Sequence, residues 1–142
     1  TLNINARSLL FGAQAAAQHM MQRGWGRIIG ISSFGSRRVL PEYSLVGVSK
    51  AVIETLIRYL AVELISHGIV CTAVSPGVVE TEALNFFPSK DAILAEGLRR
   101  TPAGRFVTPE EVAKLAAWLC TDDARMIVGQ TIVMDGGYEL MA

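Results

Sequence analysis

The 142-residue sequence has few cysteines, no surplus of either charge and no long apolar run. Cys71 and Cys120 lie far apart without a CxxC spacing, and no Cys/His cluster forms around His19 or His67. These absences argue against a disulfide framework and a zinc site, because both need such side chains at characteristic spacings. We therefore expect no metal site, and we expect both thiols to be core residues of a protein from a reducing compartment.

The charges balance, with 13 basic and 13 acidic residues. Such a chain has no electrostatic bias toward nucleic acid or an anionic membrane surface. No apolar run reaches the roughly 18 residues that a membrane-spanning helix needs, and no charged segment precedes an apolar one as in a signal peptide. The sequence therefore predicts a cytoplasmic protein that binds neither nucleic acid nor membrane, and whose partner is a small molecule or another protein.

The chain also lacks an initiating methionine, because it opens on Thr1 directly within an amphipathic pattern. We expect it to be a piece of a longer protein. Its length still suffices for one domain, since a compact domain of this size buries roughly 70% of the surface that its unfolded chain exposes.

What the sequence does contain is an alternation of helical and extended segments. Amphipathic periodicity predicts the helices, and short β-branched runs bounded by glycine, serine or proline predict strands buried on both faces. Thr108 has the character of a helix cap, with proline at the first helical position and glutamate at the third. The predicted helices cover residues 3–22, 43–66 and 108–120, and the predicted strands cover residues 27–33, 69–75 and 130–134. This order predicts an α/β fold with a parallel sheet, right-handed crossovers and helices on both faces.

One element of a doubly wound nucleotide-binding fold is missing. Such folds carry a glycine-rich turn after the first strand, where backbone N–H groups and a helix N-terminus receive the pyrophosphate. No GxGxxG-like or GxxxGxG-like run occurs in this sequence. If the parent protein binds a dinucleotide, we expect its phosphate-binding half to precede this chain.

Several motifs nevertheless follow one another in a characteristic order: NINARSLLFGAQ, GRIIGISS, SKA, VSPGVVET, TPAGRFVTPEEVA and GQTIVMDGG. Their order and spacing resemble the C-terminal half of a short-chain dehydrogenase/reductase over essentially the whole chain. The resemblance implies a Rossmann-like doubly wound parallel sheet, of which residues 1–142 form the catalytic half and from which the phosphate-binding half is absent.

The spacing of one tyrosine narrows this resemblance. In most of the family the active tyrosine lies four residues before the lysine, as YxxxK, but that position is Val46 here, which has no hydroxyl. Tyr43 instead stands seven residues before Lys50, as Tyr-x6-Lys. This spacing, within LPEYSLVGVSKA, resembles the type III enoyl-acyl-carrier-protein reductases, which reduce a conjugated carbon–carbon double bond.

A physical reason connects the spacing with the reaction. In ketone reduction, hydride arrives one bond from the oxygen that gains charge. In enoyl-thioester reduction it arrives at the β-carbon, three bonds from the enolate oxygen, so the hydrogen-bond donor must lie further out. Helix positions seven apart fall within about 20° of one face and about two turns apart. Tyr43 can therefore share a cleft with Lys50 and still reach the more distant oxygen.

The resemblance implies four catalytic residues. Tyr43 would bind the substrate and stabilise its enolate, and Lys50 would hold the ribose of a nicotinamide cofactor. Ser33 occupies the position of the family's active serine and would contact substrate, although a serine at a strand end also serves as a loop cap. Asn5 matches the family's helix asparagine, which kinks the helix and holds a water in a proton relay; the alternative is that Asn5 or Asn3 caps the helix.

The turn after the second strand matches the family motif PGxxxT. By this resemblance it would contact the nicotinamide, and Thr81 would bind its carboxamide. The alternative is a plain turn that ends a strand. The cofactor-binding residues implied here are Pro76, Gly77, Val79 and Thr81.

The following segment, about residues 82–105, is by resemblance the mobile substrate lid. Leu84, Phe86 and Phe87 would bind the acyl chain, and core packing of a helix explains the same apolar residues about equally well. Four arginines are possible contacts for an acidic carrier protein, with ordinary solvated surface as the alternative: Arg37, Arg38, Arg99 and Arg100.

Together these implications describe an NAD(P)H-dependent reductase of an enoyl thioester on acyl carrier protein, in fatty-acid synthesis. NADPH is favoured over NADH by resemblance alone. A homotetramer is expected, pairing the helices at residues 3–22 and 43–66 across subunits, and the small residues Ala13, Ala15, Ala16 and Ala17 permit close packing there. Two alternatives stay open. One is a reductase of a carbonyl or alcohol, such as a 3-oxoacyl thioester, and the other is a truncated, inactive assembly module.

Overall fold

Three parallel strands form a sheet in the computed structural model, which describes residues 1–82 and 89–141. The strands are β1 (Gly26–Ile31), β2 (Ile69–Pro76) and β3 (Thr131–Met134), and β2 lies between the other two. All residues of β2 before Pro76 are buried, as its continuous apolar run predicts. The predicted α/β fold with a parallel sheet is confirmed.

Helices cover both faces of this sheet. They are α1 (Ser8–Arg23), α2 (Ser44–Leu64), α3 (Lys90–Arg100) and α4 (Pro109–Leu119). On one face, α1 and α2 pack against the strands through a cluster that includes Ala13, Ala17, Ile28, Ile53, Ile57, Cys71 and Ala73. On the other face, α4 packs through a second cluster that includes Ile29, Val74, Val112, Leu115, Leu119 and Ile132. Successive strand residues alternate between the two clusters, as the pleat requires.

The two crossover connections have opposite hands. The chain passes from β1 to β2 through α2, and from β2 to β3 through α4, so both connections step across the sheet in one direction. Their helices nevertheless lie on opposite faces. The prediction of right-handed crossovers throughout is therefore wrong for one of them. The right-handed preference belongs to a helix fed directly by a twisted strand, whereas residues 77–130 form a long connection that also contains α3.

Local sequence signals set several helix ends. Thr108 and Glu111 form the predicted capping box at the start of α4, each side chain accepting a hydrogen bond from the other residue's backbone N–H. Gly24 ends α1 in the left-handed conformation, with φ of 65°. In the described part of the chain, no helix has the length and apolar composition that a bilayer crossing requires.

Candidate functional site

The candidate site lies where β1 and β2 end. Ile31 pairs with Val74, and the backbone N–H of Ser32 donates to the Val74 carbonyl at 2.7 Å, so both strands reach the same edge. Ligands of open α/β sheets bind outside the carboxyl ends of the strands. The predicted site residues that follow β1 and β2 in the sequence therefore lie at one edge.

Ser33 and Tyr43 are brought into direct contact at this edge. The Tyr43 hydroxyl donates a hydrogen bond to Ser33 Oγ at 3.3 Å. Ser33 also caps the short 3₁₀ helix Phe34–Ser36, because its Oγ accepts from the Gly35 N–H at 3.3 Å. The loop-cap alternative for Ser33 is thus confirmed, and its role as a site residue stays a prediction. Tyr43 itself is the residue that precedes the first turn of α2.

Two glycines allow this contact, and the sequence analysis missed both. A Cβ on Gly35 would lie 2.5 Å from Tyr43 Cε1, and a Cβ on Gly47 would lie 2.6 Å from the Gly35 carbonyl oxygen. The 3₁₀ helix can therefore approach the start of α2 closely only because both residues lack a side chain. Gly47 carried a usable signal, since a glycine inside a helical pattern often marks a close approach.

Lys50 is held half-buried beside the end of β1. Its ammonium donates to the Ile31 carbonyl at 2.8 Å, and burial lowers the pKa of Lys50 from the ordinary value of 10.5. Within residues 1–82 and 89–141 this is its one hydrogen bond, which leaves two of its three N–H donors for a ligand. Lys50 and Asn5 both line a groove of about 450 Å³ beside β1.

Val46 occupies the position where the resemblance to short-chain dehydrogenases/reductases places a tyrosine. It lies on α2 four residues before Lys50, and its side chain is half-buried. The Val46 carbonyl accepts a hydrogen bond from Ser49 Oγ at 2.7 Å. A valine side chain donates no hydrogen bond, whereas the Tyr43 hydroxyl contacts Ser33 at this edge.

Asn5 bonds to α2 and caps no helix. Its amide nitrogen donates to Ser49 Oγ at 2.9 Å, next to Lys50 in the chain. Asn5 lies inside the π-helical segment Asn3–Arg7, which precedes α1, and no side chain caps that segment. The capping alternative for Asn5 or Asn3 is therefore wrong. The kink and the water relay that the resemblance implied both stay predictions.

The PGxxxT turn begins at the end of β2. The Gly77 N–H donates to the Met134 carbonyl at 2.9 Å, and a Cβ on Gly77 would lie 2.9 Å from Asp135 Cα. Gly77 therefore lets the turn pass close to the residue that follows β3. Val79 is half-buried and Thr81 is exposed. Their cofactor contacts stay predictions.

The predicted lid is described only in part. Leu84, Phe86 and Phe87 lie outside the described residues. The later part of the segment forms α3, in which a Cβ on Gly97 would lie 3.2 Å from Phe106 Cε1 and from Val78 Cγ2. A role in binding an acyl chain stays a prediction.

Several of the arginines considered for carrier-protein contact make internal contacts. Arg37 pairs with Glu139 at 3.6 Å, and Arg99 pairs with Glu96 at 2.7 Å. The guanidinium of Arg100 lies 5.2 Å from the centre of the Tyr138 ring. These contacts with neighbouring residues give no support to a dedicated carrier-binding patch.

A buried carboxylate next to the site was missed by the sequence analysis. Glu54 lies on α2 one turn after Lys50, and 7% of its surface is exposed. Its Oε1 accepts hydrogen bonds from Ser32 Oγ and Ser36 Oγ, both at 2.6 Å. The available signal was an acidic residue between Ile53 and Ile57 on the apolar face of a predicted helix. Among the described residues, no group of three or more histidine, cysteine, aspartate or glutamate side chains is arranged to hold a metal ion.

Comparisons with known proteins agree with this fold. A family model described as Enoyl-(Acyl carrier protein) reductase matches residues 1–139. The 1-cyclohexenylcarbonyl-CoA reductase of Streptomyces collinus is 40% identical over 141 residues, which are 98% of this chain and 50% of that protein. The NADH-dependent enoyl-acyl-carrier-protein reductase of Aquifex aeolicus is 34% identical over 122 residues, 86% of this chain and 45% of that protein.

A solved structure shows the same architecture. The gluconate 5-dehydrogenase of Burkholderia cenocepacia J2315, in complex with NADP and tartrate, superposes with a TM-score of 0.90 at 29% identity. The match covers 99% of this chain and 55% of that one. The chain therefore belongs to the enoyl-(acyl carrier protein) reductase family of short-chain dehydrogenases/reductases and has their Rossmann fold. It spans about half the length of the curated relatives that it matches.

Proposed function

We propose that the parent protein reduces the 2,3 double bond of an enoyl thioester with NADPH or NADH. The observation that carries this proposal is the contact between Tyr43 and Ser33 at the strand edge, with valine at position 46. A hydroxyl at Tyr43 suits the distant oxygen of an enolate better than the adjacent oxygen of a ketone. The name of the Aquifex relative, an NADH-dependent enoyl-acyl-carrier-protein reductase, supports the same reaction.

The residues present fit the nicotinamide end of the cofactor. Lys50 offers two N–H donors that the described residues leave unused, beside the edge where ligands of this fold bind. We propose that Lys50 holds the ribose hydroxyls and that Pro76, Gly77, Val79 and Thr81 contact the nicotinamide. The cofactor, when bound, supplies the hydride.

Tyr43 would act on the oxygen that gains charge. As the β-carbon of the substrate gains hydride, the electrons of the double bond move through the α-carbon to the thioester oxygen. The Tyr43 hydroxyl donates a hydrogen bond to that oxygen, and this hydrogen bond is strongest when the enolate is fully formed. The α-carbon then takes a proton from water and the thioester carbonyl is restored. In the structure Ser33 accepts the Tyr43 hydroxyl hydrogen; when Tyr43 donates to the substrate, the Ser33 hydroxyl would instead donate to the tyrosine oxygen and orient it.

The carrier of the thioester has two candidates. We favour acyl carrier protein, as the family description indicates, and a role in cytoplasmic fatty-acid synthesis. Coenzyme A is the second candidate, because the Streptomyces relative carries a coenzyme A thioester of a conjugated acid in its name and is 40% identical. The internal contacts of Arg37, Arg99 and Arg100 give the carrier protein no additional support.

A substrate comparison tests the proposed reaction. The full-length enzyme, with this chain joined to an N-terminal nucleotide-binding half, is assayed for NADPH and NADH oxidation with crotonyl and acetoacetyl thioesters of both carriers. We expect oxidation with the crotonyl thioester and little with the acetoacetyl thioester. Oxidation with the acetoacetyl thioester alone would show a carbonyl reductase, to which the gluconate dehydrogenase likeness would then apply. No oxidation with either would favour an inactive assembly module.

We also propose that the protein is a homotetramer that pairs α2 helices across subunits. One face of α2 exposes apolar side chains separated by three, eleven and three residues, a spacing that keeps them on one helical stripe, namely Leu45, Val48, Tyr59 and Val62. Two of the four alanines expected to pack across subunits on α1, Ala13 and Ala17, instead lie in the chain's own core, and the pairing of α1 across subunits stays a proposal.

Light scattering of the full-length enzyme tests the tetramer. We expect the mass of four subunits for the wild type and a smaller assembly for the double variant Val48→Lys and Val62→Lys, since unpaired charges are costly to bury in an interface. Val39→Lys is the matched control, because Val39 is fully exposed in the loop that precedes α2 and is not part of the stripe. A wild-type mass of one subunit would refute the proposal.

A further inference from the structure

One turn of α2 forms hydrogen bonds to the loop that carries Ser33. Lys50 donates to the Ile31 carbonyl, and Glu54, four residues later, accepts from Ser32 and Ser36. These hydrogen bonds therefore hold Ile31, the last residue of β1, and Ser32 and Ser36, the two ends of the segment that follows it. Ser33 lies between the two serines held by Glu54.

The geometry points to Glu54 as a positioning residue for the reaction, an inference that rests on the proposed role of Ser33 and Tyr43. Glu54 does not touch the reacting atoms in this arrangement. It fixes Ser32 and Ser36, and through them the 3₁₀ helix whose Gly35 packs against the Tyr43 ring and donates to Ser33 Oγ. The Ser33 hydroxyl is thereby held within hydrogen-bonding distance of the Tyr43 hydroxyl.

The Glu54 carboxylate is suited to holding the loop because a single oxygen, Oε1, accepts hydrogen bonds from both serine hydroxyls. Separations of 2.6 Å lie within the range of about 2.5–2.7 Å for hydrogen bonds from a hydroxyl to an ionised oxygen, which are about twice as strong as neutral ones. These two hydrogen bonds also use the hydroxyl hydrogens of Ser32 and Ser36, so neither hydroxyl can donate to another group. Of the three serines in the loop, Ser33 is then the one whose hydroxyl meets Tyr43.

The burial of Glu54 argues that the contact is not incidental. An ionised carboxylate is costly to bury unless donors compensate it, and here its donors come from the loop that bears the site. A glutamine at this position keeps the size and one acceptor oxygen but weakens both hydrogen bonds. It therefore loosens the loop without removing the side chain.

The test uses the full-length enzyme with Glu54→Gln, and Glu63→Gln as matched control, because Glu63 is an exposed glutamate on the same helix. We expect kcat to fall by about 10-fold or more through misplacement of Ser33 and Tyr43, with an unchanged dissociation constant for NAD(P)H. In a Tyr43→Phe background the same change should cost much less, because Glu54 acts through that hydroxyl. Ser32→Ala with Ser36→Ala should reproduce the effect. Equal losses in both backgrounds would overturn the proposal.

A second measurement does not depend on activity. Hydrogen exchange followed by mass spectrometry should show faster exchange confined to residues 32–36 in Glu54→Gln, with α4 unchanged. Unchanged exchange at residues 32–36, or a rise throughout the protein, would contradict the positioning role. If the wild type reduces the acetoacetyl thioester alone, the proposed reaction fails, while the same kinetic comparison on that substrate still decides the role of Glu54.

Discussion

Replacing Tyr43 by phenylalanine should lower kcat for a crotonyl thioester by about 10²–10³-fold, the usual effect of removing one donor to a developing oxyanion. The ring of phenylalanine keeps the packing against Gly35, so the start of α2 should stay in place. What is lost is the hydroxyl that contacts Ser33 and that would stabilise the enolate. We therefore expect unchanged NAD(P)H binding and an unchanged unfolding temperature.

Tyr59→Phe provides the matched control for this experiment. Tyr59 lies on the same helix, in the stripe proposed to pair subunits and away from the site, so its change removes an equivalent hydroxyl and keeps the ring that would pack there. Steady-state kinetics and cofactor titration of both variants give the comparison. A Tyr43→Phe enzyme that keeps its kcat within a few-fold of wild type would show that Tyr43 does not stabilise the transition state.

Replacing Lys50 by methionine should weaken NAD(P)H binding by about 10-fold to 100-fold, because hydrogen bonds of a charged group contribute about 1.5–3 kcal/mol. Methionine keeps the unbranched apolar stem but loses the ammonium that donates to the Ile31 carbonyl. Fluorescence titration measures the dissociation constant, and Lys114→Met, an exposed lysine on α4, is the control. Equal affinity in wild type and Lys50→Met would exclude Lys50 from the cofactor site.

The burial of Lys50 adds a pH dependence to this prediction. Desolvation disfavours the ammonium, so the pKa of Lys50 lies below the ordinary value of 10.5. As pH rises through that lowered pKa, Lys50 loses its charge and cofactor affinity should fall. This loss should occur at a lower pH than it would if Lys50 had the pKa of an ordinary lysine. In Lys50→Arg the charge persists, so this alkaline loss should disappear. The same alkaline loss in Lys50→Arg would assign it to another group.

The elements of the fold were predictable because their signals are local. The β2 run from Ile69 is apolar throughout, and Thr108 with Glu111 closes a capping box from residues three apart. Such patterns depend on neighbours in the chain, and the sequence carries them directly. The hand of the second crossover was not predictable in this way, because the long connection after β2 can cross on either face.

The sequence suggested the candidate site residues but not the contacts between them. The spacing of Tyr43 and Lys50 and the valine at position 46 stand in the printed sequence, and they suggested the enoyl reaction before any contact was known. Asn5 shows what the sequence leaves open. The choice between helix cap and site residue depends on its hydrogen-bond partner Ser49, which lies 44 positions away in the chain. The structure removed the capping alternative by placing that partner beside it.

The sequence alone therefore determined the order of strands and helices, the family and the displaced tyrosine, since each is a matter of residue type and spacing along the chain. Tertiary structure decided which groups meet: the Ser33 and Tyr43 hydroxyls, the Gly35 surface under the tyrosine ring, and the buried Glu54 carboxylate. These contacts form only when α2 packs against the end of β1. Their energies depend on burial and distance, which no spacing in the sequence specifies.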